Sequence, residues 1–148
     1  MDSSREVNYR LRLAKGFIKE AAALYHQHQW RACVSSSQLA VENSAKAVLS
    51  IFRPIAKIHE LSEILINLVG ELNLKGKECR DMERLAECAK ILGLKEHITA
   101  DYGDELAHKT PWEIYNKDRA KKALDLALEA YKLSSRLSKI LRIKKKIY

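Results

Sequence analysis

Apolar residues return every three or four positions along most of this chain, a spacing that leaves few folds open to it. Val7, Leu11, Ala14, Ile18, Ala21 and Tyr25 follow it first, and Val41, Ala45, Val48 and Phe52 follow it again. An α-helix turns once in about 3.6 residues, so each set forms a stripe that must be buried against another element. No stretch alternates with the period that a half-buried strand needs, and no segment repeats another. The expected fold class is all-α: an antiparallel up-and-down bundle of about five helices around a four-helix-bundle-like core.

Local signals place the helices. Ser4 can cap the first, which ends near His28. The second runs from about Trp30 to Phe52 and stops before Arg53-Pro54, because proline disfavours a helical residue in front of it. The two form a tight antiparallel hairpin. A third begins near His59, carries Leu61, Ile64, Leu65, Leu68 and Leu72, and frays into Asn73 to Gly76. Met82, Leu85, Ala89 and Leu92 mark a fourth that ends at Gly93. The longest starts at Asn116, an N-cap residue type, and continues through Leu124, Ala127, Tyr131 and Leu137 towards Ile143. Between them, Leu94 to Tyr115 lacks a sustained period and reads as a long connection. It gathers His97, Asp101, Tyr102, Gly103, Asp104, His108 and Trp112, and a connection of this length in a compact bundle is mobile or functional.

The 148 residues suit one domain over 1–148, able to bury about two-thirds of the surface the unfolded chain exposes. Cys33, Cys79 and Cys88 are an odd number without C-x-x-C spacing, which favours reduced thiols. No secretory leader or membrane-length apolar run is visible, so the expected protein is soluble and cytoplasmic, with no membrane partner. Its net charge of +8 is concentrated at one end. No acid follows Glu129, whereas Lys132, Arg136, Lys139, Arg142, Lys144, Lys145 and Lys146 do, leaving 20 bases against 19 acids elsewhere. Cations in a last helical turn are favoured by the macrodipole by about 0.3–1 kcal/mol. Lys132, Arg136, Lys139, Arg142 and Lys146 extend further, as a stripe leading into a basic helix end at about 136–148. The stripe reads equally as a solvated face or as a set of RNA contacts.

Ala40 to Leu49, read as AVENSAKAVL, places Glu42 one turn before Lys46 beside the buried stripe. Taken alone this is a surface pair worth about 0.3–0.5 kcal/mol. The wording around it resembles the HEPN family, whose second helix carries A-x-E-x-x-x-K-A and whose third opens on a His-acidic-Leu step. Ala40, Glu42, Lys46, Ala47, His59, Glu60 and Leu61 fit in order and spacing. Ala100-Asp101-Tyr102-Gly103-Asp104 is similar to the family's Ala-Arg-Tyr-(Pro/Gly) step, and Tyr115-Asn116 to Ala123 to the start of its last helix, so the resemblance spans roughly residues 8–133.

The resemblance implies a homodimer and one of several activities, since the family includes metal-independent RNases, toxins of toxin-antitoxin pairs and inactive binding modules. Many members bind a minimal nucleotidyltransferase. The RNases use an Arg followed four to six residues later by a His, the imidazole moving a proton and the guanidinium steadying phosphate charge. His108 lies in the right region as the catalytic candidate, but Asp101 stands where the family carries the Arg. An acid there repels phosphate. Arg53 and His59 have five residues between them, yet about one such match arises by chance, and His59 reads as a structural position near a helix start.

The expected function is a nucleotide- or RNA-binding module without the usual RNase pair, its ligand groove formed by Glu42, Lys46, Asp101, Tyr102 and Asp104 near His108. The alternative is an endoribonuclease in which His108 acts with Lys109, Lys46 or an Arg of the other subunit. No metal is expected, because Asp104 and His108 are two ligands and His97 joins them only through a fold-back. No cofactor motif is present. Trp30 and Trp112 read as packing anchors or as stacking partners for a base.

Overall fold

The computed structural model describes residues 3–55 and 60–147. Its helices are α1 (Ser3–His26), α2 (Trp30–Leu49), α3 (Leu61–Glu71), α4 (Gly76–Ile91), α5 (Leu94–Tyr102), α6 (Pro111–Ile114) and α7 (Lys117–Ile147). Among the described residues there is no strand, only an isolated bridge between Asp104 and Lys109. No helix among them is long and apolar enough to cross a membrane.

Helix α1 buries Val7, Ala14 and Ala21, with Leu11, Ile18 and Tyr25 packed beside them. The described part of α1 starts at Ser3, so Ser4 lies within the helix and not at its cap. It closes in a Schellman turn: the His28 amide donates to the Tyr25 carbonyl and the Gln29 amide to that of Leu24. This places His28 at φ 58°, a left-handed position usually held by glycine. The chain reverses at once, and α2 returns antiparallel to α1. Arg10 Nη1 donates to Asn43 Oδ1 at 3.0 Å, and Ser36 Oγ to Glu20 Oε1 at 3.2 Å.

Helix α2 is the centre. The stripe Val41, Ala45 and Val48 is buried as its spacing requires, but so are Ala40, Ala47, Ser37 and Ser44 on other faces. Small side chains let the surrounding helices approach it. Helix α7 repeats Ala120, Ala123, Ala127, Ala130, Ser134, Leu137 and Leu141 at alternating intervals of three and four, all buried. Truncating a residue such as Leu137 to Ala costs about 2–5 kcal/mol.

Three contacts show that α2 and α7 run side by side in the same direction. Cys33 Sγ meets the Ala120 carbonyl at 3.8 Å, Ser134 Oγ donates to the Ser44 carbonyl at 2.6 Å, and Lys145 Nζ donates to the Ile51 carbonyl. Helix α4 runs antiparallel to α7, joined by Arg84 to Glu129 and by Arg136 to Asp81. A second Schellman turn at Asn73, φ 51°, ends α3, with Leu74 buried behind it. The described part of α3 starts at Leu61, and His59 lies outside the described residues.

The stretch Leu94 to Tyr115 is not one long connection; it contains α5 and α6. Helix α5 has nine residues and buries Ala100 alone, so it has no apolar stripe to read. Helix α6 did leave a signal, since Thr110-Pro111-Trp112-Glu113 is a start sequence with proline at the first helical position. The Thr110 amide donates to Glu113 Oε2 at 2.9 Å. Helix α7 begins where Asn116 predicts it, with Asn116 Oδ1 accepting from the Arg119 amide at 2.9 Å.

Candidate functional site

Helix α5 rests on the first half of α2, and the polar groups of the two meet there. Arg31, in the first turn of α2, donates from Nη1 to the Ala100 carbonyl at 2.8 Å and lies 3.6 Å from Asp101 Oδ1. His97 sits one turn before Asp101 on α5, its Nε2 3.7 Å from Asp101 Oδ2 and its Nδ1 3.0 Å from Gln38 Oε1. Asp101 is thus held between a guanidinium and an imidazole. Its half-exposed setting limits the worth of these pairs to about 1 kcal/mol or less. Asp101 offsets part of the Arg31 charge on this face of the bundle.

Beside this cluster lies a cavity of about 320 Å³ lined by Gln38, Glu42, Leu61, Lys90, Lys95 and His97. Glu42 pairs with Lys46 at 3.7 Å, the two side chains 31% and 16% exposed, so the pair is more enclosed than a solvated helix face would make it. Of Glu42, Lys46, Asp101, Tyr102, Asp104 and His108, the structure puts Glu42 in the cavity wall with Lys46 against it and joins Asp101 to Arg31 and His97.

Tyr102, the last residue of α5, is exposed, and Asp104 and His108 belong to the exposed turn that follows. There Gly103 adopts φ 74°, and a Cβ on it would stand 2.1 Å from the Lys109 carbonyl oxygen, so only glycine fits. The Asp104 amide donates to the Lys109 carbonyl at 2.9 Å and the Lys109 amide returns the bond at 3.0 Å. Asp104 Oδ1 accepts from the Ala107 amide at 3.0 Å, which makes it a turn-closing residue. His108 has φ 55° and an exposed side chain; it shares no helical face with Asp104.

On α7, Lys132, Lys139 and Lys146 are exposed. Arg136 is 3.4 Å from Asp81, and Arg142 donates to the Ser138 carbonyl at 3.0 Å and to Asn8 Oδ1 at 3.5 Å. Sequence reading did not single out Arg31 or Gln38. Arg31 meets Ala100 across 69 positions of chain, and nothing local marks it.

Other titratable groups are tied into the scaffold. The Tyr115 hydroxyl donates to Glu96 Oε1 at 2.9 Å, and burial with that carboxylate holds the phenol well above its usual range. Burial pushes the Cys88 thiol up to about 11 and raises that of Cys33, while a hydrogen bond to Glu83 raises that of Cys79. All three cysteines are free, and none is activated as a thiolate.

Among curated proteins none matches the chain significantly. The crystal structure of TT1696 from Thermus thermophilus is similar over 88% of this chain and 97% of its own, with a TM-score of 0.66 and 18% identity, a likeness of fold alone. Residues 7–137, most of the sequence, match the family described as HEPN domain. With the helical bundle, the A-x-E-x-x-x-K-A helix at its centre and that match, this chain belongs to the HEPN domain family.

Proposed function

We propose that this chain is a nucleotide- or RNA-binding module: one domain over residues 1–148 that dimerises, lacks the family's Arg-His RNase pair, and partners a minimal nucleotidyltransferase in a toxin-antitoxin-type system. The observation that carries the reading is Asp101. It stands where an active member would present a guanidinium to phosphate, and it engages Arg31 and His97 instead. The neighbouring cavity of about 320 Å³ supports binding, being of the size of small-molecule sites, about 300–1,000 Å³, and lined by Glu42, Lys90, Lys95 and His97. A second reading has support of its own: Arg31 and His97 both lie within 4 Å of Asp101, so a guanidinium and an imidazole do share one surface of the bundle. That reading makes the chain a metal-independent endoribonuclease.

Labelled RNA incubated with the pure protein separates the two. The binding reading expects retention without cleavage, in chelator as well as in magnesium. Cleavage that His108→Ala or His97→Ala abolishes would overturn it. Light scattering tests the dimer, and co-purification with a co-expressed nucleotidyltransferase encoded beside this chain tests the partner.

A further inference from the structure

Two rings that sequence reading left as packing anchors or stacking partners lie at the end of the bundle where α2 and α7 both begin. Trp30 is half-buried, edge-on to Tyr25 at 5.4 Å, and the His28 ring lies over it at 5.0 Å and 17°. The left-handed turn at His28 sets that stack. Trp112 is different: it is 72% exposed and anchors nothing. Yet it is not a loose side chain. It sits on α6 beside the buried Pro111, and the Arg31 guanidinium lies 5.7 Å from its ring centroid. Tyr115 is buried beneath, with the Arg119 guanidinium 5.3 Å from its ring. His28, Trp30, Arg31, Trp112 and Tyr115 wall a cavity of about 300 Å³.

We infer that this cleft binds a nucleobase, the base stacking on Trp112 beside the Arg31 guanidinium. The inference rests on the functional reading above and gives it a second contact surface, joined to the Asp101 cluster through Arg31. Two features select a base over an apolar side chain. Trp112 offers an exposed flat ring, with the Arg31 guanidinium, a group that also attracts anions, 5.7 Å from its centroid. The walls include Gln29, the residue before α2, which supplies no side-chain cap to the positive end of that helix. The same stacking serves a free nucleotide or a base within a strand.

The test is fluorescence anisotropy of a labelled oligoadenylate, with AMP as unlabelled competitor. Because Trp112 is exposed, Trp112→Ala keeps the fold, which a thermal melt verifies. It should weaken oligoadenylate binding about 5- to 150-fold, the range for one stacked base, while Trp112→Phe stays within about threefold of wild type. Displacement by AMP assigns the cleft to a free nucleotide; binding that AMP does not compete assigns it to a base within a strand. If Trp112→Ala binds as wild type does, the cleft assignment is overturned and the functional reading stands. If wild type binds neither oligoadenylate nor AMP, both fall, and the exposed tryptophan is left as a contact for another protein.

Discussion

Side-chain ionisation in this chain serves the joints between helices before it serves any ligand. The clearest case is Arg84, whose Nε and Nη2 reach Glu129 Oε2 and Oε1, each at 2.8 Å, across the α4–α7 seam. That hydrogen bond holds the Glu129 carboxyl below its ordinary value, and burial works against it. The folded value is therefore lower than the unfolded one, so the contribution is complete above the ordinary carboxylate range, about pH 4.3, and is lost as pH falls through the lowered value. With the carboxylate side chain 41% exposed, solvent screening keeps it to about 1 kcal/mol or less. Melting temperatures of wild type and Glu129→Gln should differ at pH 7 and converge on acidification. A constant gap across that range would show the pair to be neutral. Sequence could name neither partner, because they lie 45 positions apart and each looks like an ordinary surface charge.

The elements divide by how they are stabilised. Helices α1, α2, α3, α4 and α7 bury apolar sets at three- and four-residue spacing, and that spacing is visible in the chain. Helix α5 is held by contacts to α2 through Arg31 and His97, and no pattern of its own announces it. The turn that follows depends on one residue. Gly103 combines φ 74° with a Cβ position 2.1 Å from the Lys109 carbonyl oxygen, so Gly103→Ala must open the bridge between Asp104 and Lys109. A cost of about 1–3 kcal/mol is expected, with hydrogen exchange rising at the Asp104 and Lys109 amides while α1 and α2 stay protected. Unchanged exchange in the turn would refute this account. The variant also carries a functional meaning, since it displaces Tyr102 and His108 without touching the cluster at Asp101.

At the scale of the whole molecule, the direction of α7 decides what its basic end does. Because α7 runs alongside α2, both helices finish at the same end, where Lys145 donates to the Ile51 carbonyl just beyond α2. Part of the C-terminal charge thus offsets two helix dipoles and is not free for a partner. Arg136 and Arg142 are engaged within the bundle as well. Lys132, Lys139 and Lys146 are the exposed lysines of the stripe. Changing these three to Gln should flatten the log-affinity against log-salt slope for single-stranded RNA by about two units and leave the melting temperature nearly unchanged. A slope that does not move would assign the stripe to solvent.

By itself the sequence determined the helical class, the family and the buried faces of the long helices, because these follow from short-range spacing that any segment carries within itself. Val41, Ala45 and Val48 had to face a core wherever that core lay. Tertiary structure alone decided that α2 is enclosed on nearly every side, that α2 and α7 are parallel, and that Arg31 reaches Asp101 while His108 stands apart on a turn. Those outcomes depend on residues distant in the chain being brought within a few ångströms of one another, and no local periodicity encodes which distant partner a charge will meet.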